Sequence, residues 1–242
     1  MQSEPDAARI IALGADPARV KVVGDIKATN VSTAPPAELI EALIGRPLWV
    51  AGSIHAGEVQ TILTAYRIIQ NRGRRRAAEV RLLLAPRYLE EVDQIAQMCQ
   101  AAGYPVVRRS RLDGTRRADQ PIMLLDTHGE LAGAYSLATV VFVGGTLVSI
   151  GGHNLLEPAA AGQPVIFGPC VEHIEQTAKA LLNAGGGVCV RDAGELAEQV
   201  EALLGDEERR KTMGERARSV VETQQGALDR TLVLLEPYLT PC

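Results

Sequence analysis

The sequence is poor in aromatic residues: they make up only 3% of its 242 positions, with one Trp, two Phe and five Tyr. A core drawn from so few rings must be aliphatic, built from Leu, Val, Ile and Ala. With hydrophobic residues at 46% there is enough of that material for a sizeable interior, of the kind found in parallel sheets covered by helices. Cysteine is equally scarce: Cys99, Cys170, Cys189 and Cys242 are scattered and make no CxxC or Cys/His cluster. That pattern excludes a disulfide scaffold and a zinc module and fits a reduced, cytoplasmic protein. No apolar run approaches the ~18 residues of a membrane span. The polar start, Met1 to Pro5, lacks a signal-peptide core, so the Asn30-Val31-Ser32 sequon has no secretory setting. Excess positive charge is missing too. A net charge of −4 argues against a nucleic-acid binder, and no Asp-x-Asp pair is present to suggest a metal-held diphosphate.

What the sequence has is alternation. Apolar strands are expected at Leu48–Ala51, Val80–Ala85, Tyr104–Val107, Ile122–Leu125, Thr139–Val143, Val165–Phe167 and Gly187–Val190. Helices fall between them: 58–70 (with Val59, Ile62, Leu63, Tyr66 and Ile69 on one face), 89–102, 131–137, 155–161 and 174–183. A short helix over 4–13, a short strand at Val20–Val23 and a brief helix at 38–44 precede this block, and three helices (195–204, 207–221 and 227–235) follow it. Strand–helix alternation implies an α/β fold with a parallel, doubly wound sheet and right-handed crossovers. The expected organisation is a linker segment over 1–46, a parallel-sheet core over 47–192, and C-terminal helices over 193–242 that pack on it.

Ligands of such sheets bind beyond the carboxyl ends of the strands, and four of these loops are unusual. Gly52-Ser53-Ile54-His55-Ala56-Gly57-Glu58 runs into a helix start, where free N–H groups suit an anion, although Ser53 or Glu58 as a cap explains it as well. Pro86-Arg87-Tyr88 sets an arginine at a strand mouth, free to fork onto phosphate or paired with Glu90 or Glu91. In Asp126-Thr127-His128-Gly129-Glu130-Leu131, Asp126 or Thr127 caps the next helix, or the Gly129 and Glu130 N–H groups face a ligand. The strongest signal is residues 144–158, from Gly144-Gly145 through Gly151-Gly152-His153-Asn154 to Glu157-Pro158. Paired glycines let backbone approach a bound group closely, and Glu157, about a turn inside a helix starting near Asn154, can accept both ribose hydroxyls.

These segments resemble, in order, motifs of the 3-deoxy-D-manno-octulosonic acid (Kdo) transferase family. Residues 151–159 resemble GGHNxLEPA, 52–58 resemble GSTHxGEE, Pro86-Arg87 opens PRHPER, 126–131 resemble DTxGEL, 142–148 resemble FVGGSLV, and 167–169 resemble FGPH. The likeness covers nearly the whole chain, including 2–7 and 24–27 between domains and 213–217 and 226–228 in the closing helices. Departures are Tyr88-Leu89 for His-Pro, Cys170 for His, His173-Ile174 for Asn-Phe, and Thr146 for Ser.

The resemblance implies the C-terminal, Rossmann-like half of a GT-B glycosyltransferase that holds CMP-Kdo for inverting transfer to a lipid A precursor. Acceptor site and general base are then expected in an N-terminal domain outside this chain, so no catalytic residue is assigned here. Arg87 is expected at the phosphate and Glu157 at the ribose. Ser53, Gly129, Glu130, Leu131, Gly152, His153 and Asn154 are expected to line the pocket. No metal or cofactor is expected; the expected partners are a CMP-sugar and a lipid acceptor, with peripheral contact at the inner face of the cytoplasmic membrane. Two alternatives share these features: a GT-B domain for another nucleotide sugar, and a noncatalytic nucleotide-binding module. The arginines at 72, 74, 75 and 76 and at 108, 109, 111, 116 and 117 either meet lipid headgroups or are solvated ends of elements.

Overall fold

The computed structural model describes residues 1, 4–24, 34–43, 45–72, 79–112 and 120–239. Gln2, Ser3, Asp25 to Lys27, the Asn30-Val31-Ser32 sequon, Ile44, Arg74, Arg75, Arg76, Arg116, Arg117 and Cys242 lie outside the described residues. The chain divides into two compact units, Met1–Val31 with Ser219–Cys242, and Ser32–Arg218.

The larger unit is built on seven parallel strands: β1 (Leu48–Ile54), β2 (Arg81–Pro86), β3 (Val106–Arg108), β4 (Ile122–Leu124), β5 (Val140–Val143), β6 (Val165–Phe167) and β7 (Gly187–Cys189). Their order across the sheet is β3-β4-β2-β1-β5-β6-β7, and every pairing is parallel. The chain winds outward from β1 through β2, then returns to place β5 on the other side of β1. The crevice for a ligand therefore opens above β1 and β5, where the winding reverses.

Strand β2 is buried along its whole length, as expected of a strand covered on both faces. The helix after β1 spans Ala56–Asn71, and its stripe of Val59, Ile62, Leu63, Tyr66 and Ile69 is fully buried. Each such side chain contributes about 1.5–3 kcal/mol. Tyr66 keeps its polar end satisfied by donating its hydroxyl to Val80 O at 2.8 Å. The helix Ala193–Gly205 places Leu196, Ala197, Val200, Leu203 and Leu204 in the same core. Asp192 caps it by accepting from the Gly194 and Glu195 N–H groups, and Arg72 joins the two helices through Glu201 at 2.6 Å.

Other helices of this unit are Ala37–Leu43, Val92–Ala101, Leu131–Leu137, Leu156–Ala160 and Glu175–Ala184. The helix expected from Leu89 opens as a 3-10 turn, Leu89–Glu91. The short helix expected near Asn154 begins two residues later, at Leu156.

The smaller unit holds the helices Glu4–Ala12 and Ala227–Leu239. The expected strand at Val20–Val23 does not form. Val20 closes a 3-10 turn over Pro17–Arg19, and Val23 donates its N–H to Met1 O at 3.0 Å and accepts from Arg230 Nε at 3.0 Å. β-branched residues with no neighbouring strand have no ladder to join. Leu232, Leu235 and Tyr238 are exposed on the second of these helices. The helix Glu207–Gln225 contains the division between the units.

Candidate functional site

The end of β1 is irregular. Its register with β2 shifts between Gly52 and Ile54, and Ser53 sits at φ 53°, a left-handed conformation that a residue with a side chain adopts only under constraint. Gly52 is needed here: a Cβ would lie 2.1 Å from the Tyr135 hydroxyl. That hydroxyl, buried and hydrogen-bonded with Ser53, is pushed well above the usual tyrosine range by burial, with the nearby Glu157 charge adding to it.

The turn after β5 holds the most constrained group in the site. Glu58 lies at the third position of its helix and is fully buried. One carboxylate oxygen accepts from His55 N at 3.0 Å and Gly145 N at 2.8 Å. The other accepts from Thr146 N at 3.1 Å and Leu147 N at 3.0 Å. Gly145, at φ 70°, bends the backbone so that consecutive N–H groups converge, an arrangement that binds anions.

The glycines of this segment are required by close packing within the protein itself. A Cβ at Gly144 would meet Ser53 O and Ile54 Cα at 2.6 Å. At Gly145 it would meet the His153 ring at 2.7 Å, at Gly151 the His173 ring at 2.5 Å, and at Gly152 Ile174 at 2.5 Å. They make room for neighbouring loops and for the protein's own carboxylate. Gly129, at φ 80° with nothing within 4 Å of its Cβ position, is open.

Across this turn, His55 and His153 are bonded Nε2 to Nε2 at 2.8 Å, with rings stacked 5.1 Å apart. One proton serves that contact, so the pair cannot be doubly protonated in this arrangement. The His153 imidazole is depressed to about 4, first by burial, then by His55, Arg87 and His173. Tyr88 sets its ring edge-on to His55 at 5.6 Å, and the Arg87 guanidinium lies 5.9 Å from the Tyr88 centroid.

Arg87 is exposed, and its backbone N–H donates to Ile54 O at 2.8 Å, extending the β1/β2 pairing to the rim. Among the described residues no carboxylate lies within ion-pair distance of it, so of the two alternatives the pairing with Glu90 or Glu91 does not form. Glu157 is half-buried and accepts from Asn154 Nδ2 at 3.1 Å, while Asn154 Oδ1 caps Leu156 N at 2.9 Å. Burial raises the Glu157 carboxyl above its ordinary value, against the lowering effect of Asn154 and Arg87.

The structure thus gathers Ser53, Arg87, His153, Asn154 and Glu157, with Gly152 beside them. Gly129, Glu130 and Leu131 lie on the loop after β4. Leu131 opens the helix that carries Tyr135 to Ser53. The Glu130 carboxylate is taken by Arg109 at 2.9 Å and by the Thr127 hydroxyl, which leaves backbone, not side chain, for a ligand there. Asp126 caps no helix; it accepts from Ser110 N at 2.8 Å and Ser110 Oγ at 2.6 Å. Arg109 is only 12% exposed, so the reading of that basic cluster as solvated ends fails for it. Arg108 pairs with Asp93.

Two groups that carry weight here escaped the sequence reading. Glu58 is legible only as a capping residue, and Tyr135 falls unremarked inside the expected helix 131–137. Among the described residues no group of His, Cys, Asp and Glu is arranged to hold a metal ion.

No family model matches the chain. Over 245 residues it is 34% identical to the 3-deoxy-D-manno-octulosonic acid transferase of Bordetella pertussis, covering 98% of this chain and 56% of that protein. Over 195 residues it is 35% identical to the corresponding transferase of Haemophilus influenzae, covering 80% of this chain and 44% of that one. The chain therefore spans about half the length of these relatives. A solved structure, the C-terminal CMP-Kdo binding domain of WaaA from Acinetobacter baumannii, superposes with a TM-score of 0.68 at 28% identity, over 76% of this chain and 94% of that one. The parallel sheet with flanking helices has the fold of the C-terminal half of a GT-B glycosyltransferase.

Proposed function

We propose, for a chain that belongs with the C-terminal domains of the 3-deoxy-D-manno-octulosonic acid transferases, that it binds CMP-Kdo as the donor half of a glycosyltransferase. The observation that carries this is the exposed Arg87, unpaired with any described carboxylate, on the same rim as the half-buried Glu157.

In this reading the Arg87 guanidinium forks onto the nucleotide phosphate. Glu157, held by Asn154, accepts the ribose hydroxyls. Ser53, Gly152 and His153 line the inner wall, and the backbone at Gly129, Glu130 and Leu131 closes the far side. When the glycosidic bond to the sugar breaks, CMP departs as a phosphate monoester and gains negative charge. A guanidinium already in place stabilises that charge more in the transition state than in the ground state, which is what lowers the barrier.

Kdo transfer to a lipid acceptor, with its general base and its contact with the cytoplasmic face of the membrane, belongs to the whole transferase. Among the described residues no helix is long and apolar enough to cross a membrane.

Calorimetry with CMP, CMP-Kdo, UDP-sugars and GDP-sugars tests the donor. Binding confined to the cytidine ligands supports it. A preference for a uridine or guanosine ligand assigns the domain to another nucleotide sugar, and no binding to any of these ligands overturns the donor reading.

A further inference from the structure

We infer that Glu58 is the positioning residue of the donor site: its buried carboxylate locks the turn after β5 against the end of β1 and so sets the wall that a ligand meets. This rests on the donor-site reading above, but the contact itself stands on geometry. Both carboxylate oxygens are used, two backbone N–H donors each, and the residue has no exposure. An anion at the start of a helix is favoured by the helix dipole. Here that anion also serves a second element, 87 residues away in sequence at Gly145.

The consequence runs outward through named contacts. His55, whose N–H Glu58 holds, carries the ring that bonds His153 at 2.8 Å. Gly145, held by the same carboxylate oxygen, is the surface against which the His153 ring packs, and its carbonyl accepts from Gly152 N at 2.8 Å. Thr146 extends the lock, accepting from Gly168 N at 2.7 Å through its hydroxyl and from Cys170 N at 2.9 Å through its carbonyl. Both members of the imidazole pair thus take their places from one carboxylate. An amide cannot replace it: either orientation of a glutamine turns an NH2 group toward two N–H donors.

The test compares Glu58→Gln with wild type and with Leu203→Ala, a core truncation in the helix Ala193–Gly205. Amide hydrogen exchange of residues 144–152 and calorimetry with CMP are read on the whole 242-residue chain. In Glu58→Gln, the Gly145, Thr146 and Leu147 amides should lose protection by about a hundredfold, and the Kd for CMP should rise at least about tenfold. Leu203→Ala should lower the unfolding midpoint while leaving both readouts within about twofold. If wild type binds CMP and Glu58→Gln binds it equally well, the inference is overturned and the donor reading stands. If Leu203→Ala weakens CMP binding as much, Glu58 acts only through stability and the inference is again overturned. If wild type binds no CMP, the donor reading fails, and with it the positioning role, whatever the exchange of the turn shows.

Discussion

The turn after β5 and the rim made by Arg87, Asn154 and Glu157 lie at the same end of the sheet, yet one is closed on itself and the other is open. In the turn, Glu58 supplies the anion, three consecutive N–H groups are met by it, and the glycines clear space for protein atoms. On the rim, a guanidinium has no described carboxylate partner, and a carboxylate raised by burial is hydrogen-bonded to Asn154. The difference teaches that a glycine-rich, anion-binding loop is not itself evidence for a bound phosphate. The anion it cradles can be a side chain, and the ligand's charge is then met by groups left unsatisfied nearby.

Substitutions on the two sides should separate them. Gly145→Ala combines a disfavoured positive φ with a clash against His153 and should cost about 3 kcal/mol. Gly129→Ala, in open space, should cost only the backbone share, about 1 kcal/mol. Urea midpoints check both, and equal losses would erase the distinction between closed and open loops. Arg87→Ala should leave stability unchanged and weaken CMP binding about a hundredfold, with Arg87→Lys recovering little because the planar fork is lost. Glu157→Gln should cost about tenfold in CMP affinity. Removing the 2′-hydroxyl from the ligand should weaken binding to wild type but leave the affinity of Glu157→Gln nearly unchanged, a cycle that calorimetry can close.

A further effect is on pH. His153 titrates near 4 in the fold and near its ordinary 6.5 when unfolded. Between those values the unfolded chain binds the extra proton, so stability falls as pH drops through that window. Urea midpoints at pH 7 and pH 5 should differ less in His153→Asn than in wild type.

Much of this architecture is legible along the chain. The apolar stripe of Val59, Ile62, Leu63, Tyr66 and Ile69 marks a buried helix face because its period is that of a helix, and Val165-Ile166-Phe167 is a strand within its stated limits. Val20–Val23 misleads because β-branched composition says nothing about whether a neighbouring strand exists. At the site, local sequence places Arg87 and Glu157 after their strands. It cannot say that Glu58 reaches Gly145, or that Arg109 reaches Glu130, because such pairings are made by the winding of the sheet and leave no spacing to read. A capping role accounted fully for Glu58 within seven residues of sequence, and the larger role appears only when β5 is laid beside β1.

An anionic cytidine ligand should sit on the rim and not in the turn. A crystal structure of the chain with CMP should show the phosphate against the Arg87 guanidinium and the ribose on Glu157, with Glu58 still bonded to Gly145, Thr146 and Leu147. Phosphate density within the turn after β5, with Glu58 displaced and the space between Arg87 and Glu157 empty, would contradict it.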